Sequence, residues 1–404
     1  MTEKKNTLWG LIAVVSGAAL ILLTILAGAT GLWFLTALPI GFLFGFFLEK
    51  ADLCGASAFS EVLLMKDWRK VQGLWVLIVV SMVGFALLSW LGLVKLSPKP
   101  LEWATMLVGG LVFGSGMVLA GGCISGALYK SGAGNLNSMA ALVGIPLGVG
   151  LVEYGPLHGL HQSLKQSVLK SLDGGPVTLS SLTGLPFGVL AVLFAVLTAG
   201  LAYWLIKKKP TTPSSPTKAD APKSGVLTRI ATRPWKPWQA GIAIGILAWF
   251  GYMSRAASGT NYPLGVTHCV LQLQLLLTDY PLKMITAPSP PTPAPPADGS
   301  PGPAKKASLW LILEVIALVL GSHVSARLTG RFRLLPKPPD ETIIAFFGGI
   351  ITGAGAGIAG YCVVGGIMSG WALLSVASLI FGLATILANW VTTYFYLMGG
   401  KLGF

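Results

Sequence analysis

The sequence predicts an all-α polytopic membrane protein of about ten spans, with re-entrant helices and two inverted repeats. Three observations carry this prediction: an apolar composition, uncharged runs of span length, and a duplicated glycine–cysteine pattern. Apolar residues make up 53% of the 404-residue chain and charged residues only 10%, against about 25% charged in ordinary soluble domains. The mean hydropathy is +0.74. The chain therefore lacks the polar surface that a water-soluble protein requires.

The spans follow from the distribution of charge along the chain. No Asp, Glu, Lys or Arg occurs in 8–48, 71–94 or 342–400. A spanning helix needs roughly 20 apolar residues, and continuous apolar runs disfavour a β-barrel, whose strands alternate. We interpret the second and seventh spans as short enough to be half-helices. The predicted spans are about 8–30, 33–48, 73–94, 104–122, 136–155, 184–206, 239–253, 308–328, 342–360 and 371–397.

The positive charge of the chain is explained by membrane topology. The formal net charge is +14, which on its own would suggest nucleic acid as a partner. In membrane proteins, however, basic residues collect in cytoplasmic loops. With the N-terminus in the cytoplasm, 20 of the 28 Lys and Arg residues face that side. We therefore predict that both termini are cytoplasmic and that the protein binds no nucleic acid.

Composition divides the chain into four segments. An extra N-terminal transmembrane helix occupies 1–32, and the first membrane repeat occupies 33–155. Residues 156–237 form a connecting span followed by a basic cytoplasmic linker, rich in Lys, Pro, Ser and Thr. The second repeat, 238–404, contains a Pro-rich external loop at 287–304, a composition typical of extended linkers.

The two repeats share the pattern Gly-x-Cys-x-x-Gly. It occurs as GGCISG at 121–126 and as GYCVVG at 360–365, at a constant offset of 239 residues. A weaker match between glycine pairs upstream aligns Ser254 with Cys54. Because five spans separate the starts of the two copies, the second copy is expected to be inverted across the membrane. Inverted repeats with interrupted helices are a recurring transporter design.

The uncharged stretch 342–400 predicts a re-entrant segment. Its 59 residues provide two membrane helices and roughly 15–20 residues more. Irregular backbone at membrane depth must be buried in protein or line a water-filled cavity. At each copy of the pattern we expect one helix to end and a short one to begin, where free backbone N–H groups attract an anion. The candidate pathway residues are Gly122, Cys123, Gly126, Gly360, Cys362 and Gly365.

Packing offers an alternative explanation for the same residues. Glycines four residues apart, such as Gly110 and Gly114, more often serve helix packing in lipid. A free cysteine is commonly a small buried hydrophobic residue. From the residues alone, a role for the cysteines in conduction and a role in packing both stay open.

Two cysteine segments resemble the YeeE/YedE family of sulfur transporters. They are LEKADLCGASAF at 48–59 and VLAGGCISG at 118–126, and the resemblance covers roughly 33–155 and 239–397. It implies uptake of thiosulfate across the bacterial inner membrane, through a central pathway lined by cysteines. The three positions implied here are Cys54, Cys123 and Cys362.

The resemblance also implies partners and alternatives. The transported ligand would be thiosulfate or a related small sulfur anion, in a chain surrounded by membrane lipid. A TusA-like soluble sulfur carrier protein would be a cytoplasmic partner. Related members handle selenium compounds, so a selenium-compound transporter is one alternative. A membrane sulfurtransferase that carries sulfur covalently on cysteine is another.

Three further residues are candidate accessory groups. Cys269 follows His268, but two adjacent ligands make a weak metal site, so we predict an accessory or packing role for Cys269. Arg255 and Lys130 flank the re-entrant regions. They either draw an anion inward or lie at the interface with their charged heads in water.

Glu314 and His323 lie within the predicted span 308–328. Ionisable side chains inside a membrane are costly and usually functional or paired, which makes this pair a candidate for proton coupling. The chain contains no P-loop and no nucleophile–base pair of the kind that marks a hydrolase. We therefore predict no enzyme activity, no cofactor and no metal.

Overall fold

Helices dominate the computed structural model, which describes residues 28–169, 175–208, 233–267, 306–334 and 338–399, with 22, 25, 26, 272 and 283–285. In chain order the helices are α1 Ala37–Ala51, α2 Gly55–Met65, α3 Arg69–Trp90, α4 Trp103–Leu119, α5 Ile124–Gly132, α6 Leu136–Glu153, α7 His158–Lys165, α8 Leu179–Thr183, α9 Phe187–Lys208, α10 Pro237–Ala257, α11 Leu309–Leu328, α12 Pro339–Ala359 and α13 Val376–Thr392. Residues Trp33–Thr36 form a 3-10 turn, and Val363–Gly370 and Thr393–Leu397 are π-helical.

Two short strand pairs join the loops. Strand β1 (Leu101–Glu102) pairs antiparallel with β2 (Val168–Leu169), so that Leu101 lies opposite Leu169. Strand β3 (Lys283–Ile285) pairs parallel with β4 (Lys306–Ser308). Both pairs lie outside the helices and add little to the architecture.

The predicted all-α polytopic membrane class is confirmed. Within the described ranges, eight helical segments are long and apolar enough to cross a membrane. Exposed tryptophans occur at helix ends, including Trp90 at the end of α3 and Trp103 at the start of α4, as in the aromatic belts of membrane proteins. The number of ten spans stays a prediction. The first predicted span and both chain termini lie largely or wholly outside the described residues.

The interpretation of the seventh span as a half-helix is wrong. Helix α10 contains 21 residues, enough to cross the membrane, whereas α1 contains 15. Ser254 lies inside α10 while Cys54 follows the end of α1, so the two positions differ in local structure, and their alignment as repeat partners stays a prediction. Ser254 is held there by a contact with Thr36 and by a 2.8 Å hydrogen bond from the Trp310 indole.

Long helices of the first half pack against long helices of the second. Helix α1 packs on α11 and α3 on α10, while α4 packs on α13 and α6 on α12. Helices α4 and α12 also pack on each other. These helix–helix contacts are related by a symmetry. The same set of contacts results when α1 is exchanged with α10, α3 with α11, α4 with α12 and α6 with α13. This arrangement fits two structural repeats, and their inverted orientation stays a prediction.

Close backbone contacts between these helices depend on glycine. A methyl group on Gly114 would overlap the carbonyl oxygen of Thr385 in α13, and one on Gly353 would overlap that of Ile145 in α6. A methyl group on Gly110 would lie 2.8 Å from the carbonyl oxygen of Phe381. The packing interpretation of these glycine pairs is therefore confirmed, as expected for helices that associate in lipid.

Candidate functional site

Three breaks between helices each carry a cysteine. Cys54 precedes α2, Cys123 precedes α5, and Cys362 precedes the π-helical segment Val363–Gly370. All three have extended backbone, are free thiols, and expose at most 1% of their surface. Their carbonyl oxygens accept the first helical hydrogen bonds from the N–H groups of Ala58, Ala127 and Gly366, at 2.9, 2.7 and 2.7 Å. The change from one helix to another, predicted at Cys123 and Cys362, is thus present in the structure, and the structure has a third at Cys54.

The same turn precedes each cysteine. The residue two positions earlier is in the left-handed region: Asp52 with φ 48°, Gly121 with φ 68° and Gly360 with φ 64°. Glycine adopts this conformation without steric cost, while aspartate tolerates it as a single residue. One backbone motif, a left-handed residue followed by one residue and a cysteine, is therefore built three times.

Two of these turns each bind the ammonium group of a different lysine. Lys130 Nζ donates to the Gly121 carbonyl at 2.8 Å, and Lys99 Nζ donates to the Gly360 carbonyl at 2.7 Å. Each cation thus lies at the C-terminal end of the helix before the break, where positive charge is stabilising. The predicted accessory residue Lys130 therefore binds the residue two positions before Cys123.

At the third turn, Asp52 occupies the position that glycine has in the other two, and its carboxylate accepts hydrogen bonds. Tyr129 donates its hydroxyl to Asp52 at 2.7 Å, and Lys70 donates its ammonium to Asp52 at 2.8 Å. Lys70 also pairs with Glu61 at 2.6 Å. Because Tyr129 belongs to α5 and Glu61 to α2, this network ties together the two helices that follow Cys54 and Cys123.

Cys54 and Cys123 form a sulfur pair. Their Sγ atoms lie 3.7 Å apart, and the Cys123 sulfur lies 3.3 Å from the Ser125 hydroxyl. A methyl group on Gly126 would lie 2.5 Å from the Cys54 sulfur and 3.6 Å from the Cys123 sulfur. The structure thus brings Cys54, Cys123 and Gly126 together, and a larger residue at position 126 would displace the Cys54 sulfur.

The breaks at Cys54 and Cys362 face each other. A methyl group on Gly55, directly after Cys54, would lie 2.6 Å from a methyl carbon of Val363, directly after Cys362. The starts of α2 and of the π-helical segment therefore meet inside the protein. The predicted residue Gly365 lies in this segment, beside Gly265, and accepts a 2.8 Å hydrogen bond from the Tyr262 hydroxyl.

Two polar cavities lie at opposite ends of α6. The Asp52 cavity, about 450 Å³, includes Leu136 at the start of α6. The Lys99 cavity, about 180 Å³, includes Glu153 at the end of α6. Both contain a turn residue two positions before a cysteine, Asp52 in one and Gly360 in the other. Each cavity therefore approaches a cysteine break from its own side of the helix bundle.

Basic residues outnumber acidic ones in the Asp52 cavity. Lys130, Arg331 and Arg333 line it together with Glu49 and Asp52. The Glu49 side chain is 3% exposed and accepts a 2.5 Å hydrogen bond from the Ser325 hydroxyl. Three cationic side chains against two carboxylates give the cavity a formal net positive charge, which favours an entering anion.

The predicted accessory residue Arg255 is buried, with 8% of its surface exposed. Its guanidinium donates to the Pro263 carbonyl at 2.6 Å and to the Thr260 hydroxyl at 3.2 Å. These bonds hold the loop that contains Tyr262. The alternative placement, with the charged head in water, is therefore wrong for Arg255. Cys269 lies outside the described residues.

Glu314 and His323 lie apart on α11. The Glu314 side chain is fully buried, and neither carboxylate oxygen has a hydrogen-bond partner within the described part of the chain. His323 lies with its Nδ1 3.0 Å from the Gly132 carbonyl and its ring against Phe332. Nine residues of helix separate them by about 14 Å, so the two side chains do not form one site.

Lys99, Lys70 and Asp52 were not predicted from the sequence as site residues. Lys99 is 261 residues from its partner Gly360, and no local pattern links two such distant positions. Asp52 did carry a signal: aspartate tolerates the left-handed conformation, so Asp-x-Cys at 52–54 is comparable with the two Gly-x-Cys motifs. That comparison would have identified all three turns.

The arrangement defines a class of protein: a multi-pass α-helical membrane protein with buried cysteines at helix breaks between two polar cavities. Residues 50–391 match the family described as Sulphur transport, and the chain belongs to this family, the YeeE/YedE sulfur transporters. It is 31% identical to the thiosulfate transporter TsuA of Spirochaeta thermophila, over 89% of this chain and 98% of that protein. It is 24% identical to the thiosulfate transporter TsuA of Escherichia coli, over 82% of this chain and 85% of that protein. It is 31% identical to the probable transporter YedE of E. coli, over 29% of each chain.

Proposed function

We propose that this protein imports thiosulfate, or a related small sulfur anion, across the bacterial inner membrane. The observation that carries the proposal is the placement of Cys54, Cys123 and Cys362, each buried at the start of a short helix between the two cavities. Two relatives that align with most of the chain are named thiosulfate transporters. The pathway would run from the Lys99 cavity past Cys362 to the sulfur pair and the Asp52 cavity.

The chemistry of thiosulfate suits such a pathway. A divalent oxyanion that leaves water needs compensating positive potential, which helix N-termini and basic side chains supply. Its terminal sulfur meets thiols, which are weak S–H donors. Binding at each step must be weak enough to permit release. The anion therefore passes from one cysteine to the next without a lasting covalent bond.

Sidedness follows from the distribution of positive charge. Lys130, Arg331 and Arg333 all line the Asp52 cavity, and basic residues favour the cytoplasmic side. This cavity would be the cytoplasmic exit, with both termini on the same side. A TusA-like carrier protein that accepts the incoming sulfur would act there. In this scheme the chain is a transporter and not an enzyme.

Uptake into proteoliposomes tests the proposal. Purified protein should take up radiolabelled thiosulfate and discriminate against sulfate and sulfite. Cys123→Ala and Cys362→Ala should abolish uptake while the protein stays folded in thermal unfolding. Ser322→Ala serves as the control, since its buried hydroxyl donates to Val319 within its own helix at 2.8 Å. Wild-type uptake rates in both cysteine variants would defeat the proposal.

The same preparation separates the alternatives. Faster uptake of a selenium analogue than of thiosulfate would identify a selenium-compound transporter. A persulfide found on Cys54 by mass spectrometry during turnover would identify covalent sulfur transfer. Absence of a persulfide, together with uptake of intact thiosulfate, supports non-covalent passage.

A further inference from the structure

We propose that the imidazole of His161 binds the incoming sulfur anion in the Lys99 cavity and takes up a proton as the anion binds. His161 belongs to α7, a short helix outside the membrane-spanning segments. The inference rests on the proposed function, because it concerns the anion that this function transports. It assigns to one residue, outside the cysteine motifs, the capture of that anion at the outer entrance.

The side chain of His161 is a buried polar group without a hydrogen-bond partner. The residue is 3% exposed, and within the described part of the chain neither ring nitrogen makes a hydrogen bond. Its backbone N–H, in contrast, donates to the Leu157 carbonyl at 2.9 Å. Buried polar groups are nearly always paired, and each exception needs an explanation such as an ion or a water. The explanation lies beside the ring, because His161 lines the Lys99 cavity.

The Lys99 cavity has room for a small anion. Its volume is about 180 Å³, whereas a single water needs about 10–15 Å³. A small oxyanion such as thiosulfate therefore fits together with part of its hydration shell. Gly360, whose carbonyl accepts the 2.7 Å hydrogen bond from Lys99, also lines the cavity. An anion bound here thus lies at the turn that leads to Cys362.

The formal charges of this cavity balance until His161 is protonated. Two lysines, Lys99 and Lys165, line it together with two glutamates, Glu102 and Glu153. A neutral imidazole leaves the cavity without net charge, and an imidazolium gives it one net positive charge. An opposite charge within about 4–6 Å favours the charged form of a titratable group. A divalent anion therefore draws a proton onto the ring, and the proton strengthens the binding of the anion.

Without an anion, His161 is neutral at pH 7. Burial lowers the pKa of His161 below its ordinary value of about 6.5, and the positive charge of Lys165 lowers it further. Glu153 of α6 and Glu102 of β1 act in the opposite direction, whereas His158 of α7 also lowers this pKa. The residues of α4 and α12 that line the cavity carry no charge. The unliganded ring is therefore able to accept a proton when the anion binds.

Calorimetric titration of the purified wild type with thiosulfate and with sulfate, at about pH 6, tests this anion site. Repetition in two buffers of different ionisation enthalpy gives the number of protons taken up per anion. Lys99, with a pKa of about 8, is already protonated at that pH, so the proton uptake reports the imidazole. We expect uptake of a proton with each anion, and an affinity that rises about tenfold from about pH 7 to about pH 5.

Two substitutions in α7 assign the effect to one ring. His161→Gln keeps a neutral polar side chain that does not titrate, so we expect no proton uptake and an affinity independent of pH in this range. At about pH 5 its affinity should be about tenfold below that of the wild type. His158→Gln is the matched control, because His158 is exposed and its Nε2 lies 3.3 Å from the Gln162 side chain. This control should bind both anions as the wild type does.

Three outcomes would overturn the anion site. A wild type that binds the anion without proton uptake would do so, and this result does not depend on the folding of any variant. His161→Gln with the affinity and pH profile of the wild type would do so as well, as would a wild type that binds neither anion. Uptake into proteoliposomes separates the two proposals. Proton-linked binding without uptake of thiosulfate refutes the proposed function alone, whereas uptake without proton-linked binding refutes the anion site alone.

Discussion

The contact between Gly126 and the sulfur pair supports a quantitative test, the substitution Gly126→Ala. The added methyl carbon would lie 2.5 Å from the Cys54 sulfur and 3.6 Å from the Cys123 sulfur. Favourable contacts between heavy atoms begin near 3.5–4.0 Å. The Cys54 sulfur must therefore retreat by about 1 Å, although its residue is fully buried and a second sulfur lies 3.7 Å away.

The cost of that movement sets the expected size of the effect. Insertion of one methyl group into a filled interior costs about 1–3 kcal/mol. If this free energy is added to the barrier for anion passage, the uptake rate falls by about 5- to 150-fold, since about 1–3 kcal/mol corresponds to rate ratios of that size. The clash involves the end of a short side chain and no backbone atom, so the fold should survive.

Two further glycine variants make the test specific. Gly114→Ala would drive a methyl group into the Thr385 carbonyl oxygen, a backbone clash that should lower the yield of folded protein. Gly200→Ala meets nothing within 4 Å, and should leave both uptake and thermal unfolding as in the wild type. Uptake of radiolabelled thiosulfate is measured for each variant beside its melting temperature.

One result would refute the reasoning. If Gly126→Ala transports thiosulfate with wild-type rate and KM, the sulfur pair tolerates displacement by about 1 Å. Anion passage would then not depend on the geometry of Cys54 and Cys123. A loss of folded protein in Gly126→Ala as large as that in Gly114→Ala would also contradict the prediction. The added methyl group would then destabilise the whole fold and not only displace the Cys54 sulfur.

Further predictions concern charge and hydrogen bonding. Burial, together with the charge of Arg255, lowers the pKa of Lys99 to about 8. The ammonium is thus present below that pH and lost above it, so uptake should fall as the external pH rises through about 8, while Lys99→Arg, whose guanidinium stays protonated over this range, should flatten the profile. An unaltered alkaline limb in Lys99→Arg would exclude Lys99 as its origin. Tyr129→Phe removes the hydroxyl that donates to Asp52 at 2.7 Å and should lower the free energy of unfolding by about 1.5–3 kcal/mol, measured in detergent. An equal loss for Tyr129→Phe in an Asp52→Gly background, which has no side-chain acceptor at position 52, would show that the effect does not arise from this bond.

Charge distribution and glycine spacing predicted much of the fold. The uncharged run 342–400 required an extra buried segment, and the structure has one at Val363–Gly370. The Gly-x-Cys motifs marked two of the three breaks. These predictions succeeded because exclusion of charge from lipid and the need for close helix contacts both act directly on residue type.

Other features depended on contacts that no local pattern encodes. The glycine match between α1 and α10 did not predict where each helix ends, so it gave no sign that Ser254 lies inside α10 whereas Cys54 follows the end of α1. The π-helical form of Val363–Gly370 has no residue signature in this chain. Lys99 and its partner Gly360 are 261 residues apart in the chain, and only tertiary packing brings them together.

The unequal distribution of sulfur along the proposed route has a kinetic consequence. An anion that enters from the Lys99 cavity meets a single thiol first, whereas one that enters from the Asp52 cavity meets the paired thiols. For a passive carrier at zero membrane potential, the ratio Vmax/KM is the same in both directions, whatever the structure. The asymmetry must therefore appear in the separate values: inward and outward flux should saturate at different concentrations, and thiol reagents applied to the two membrane faces should block the protein at different rates.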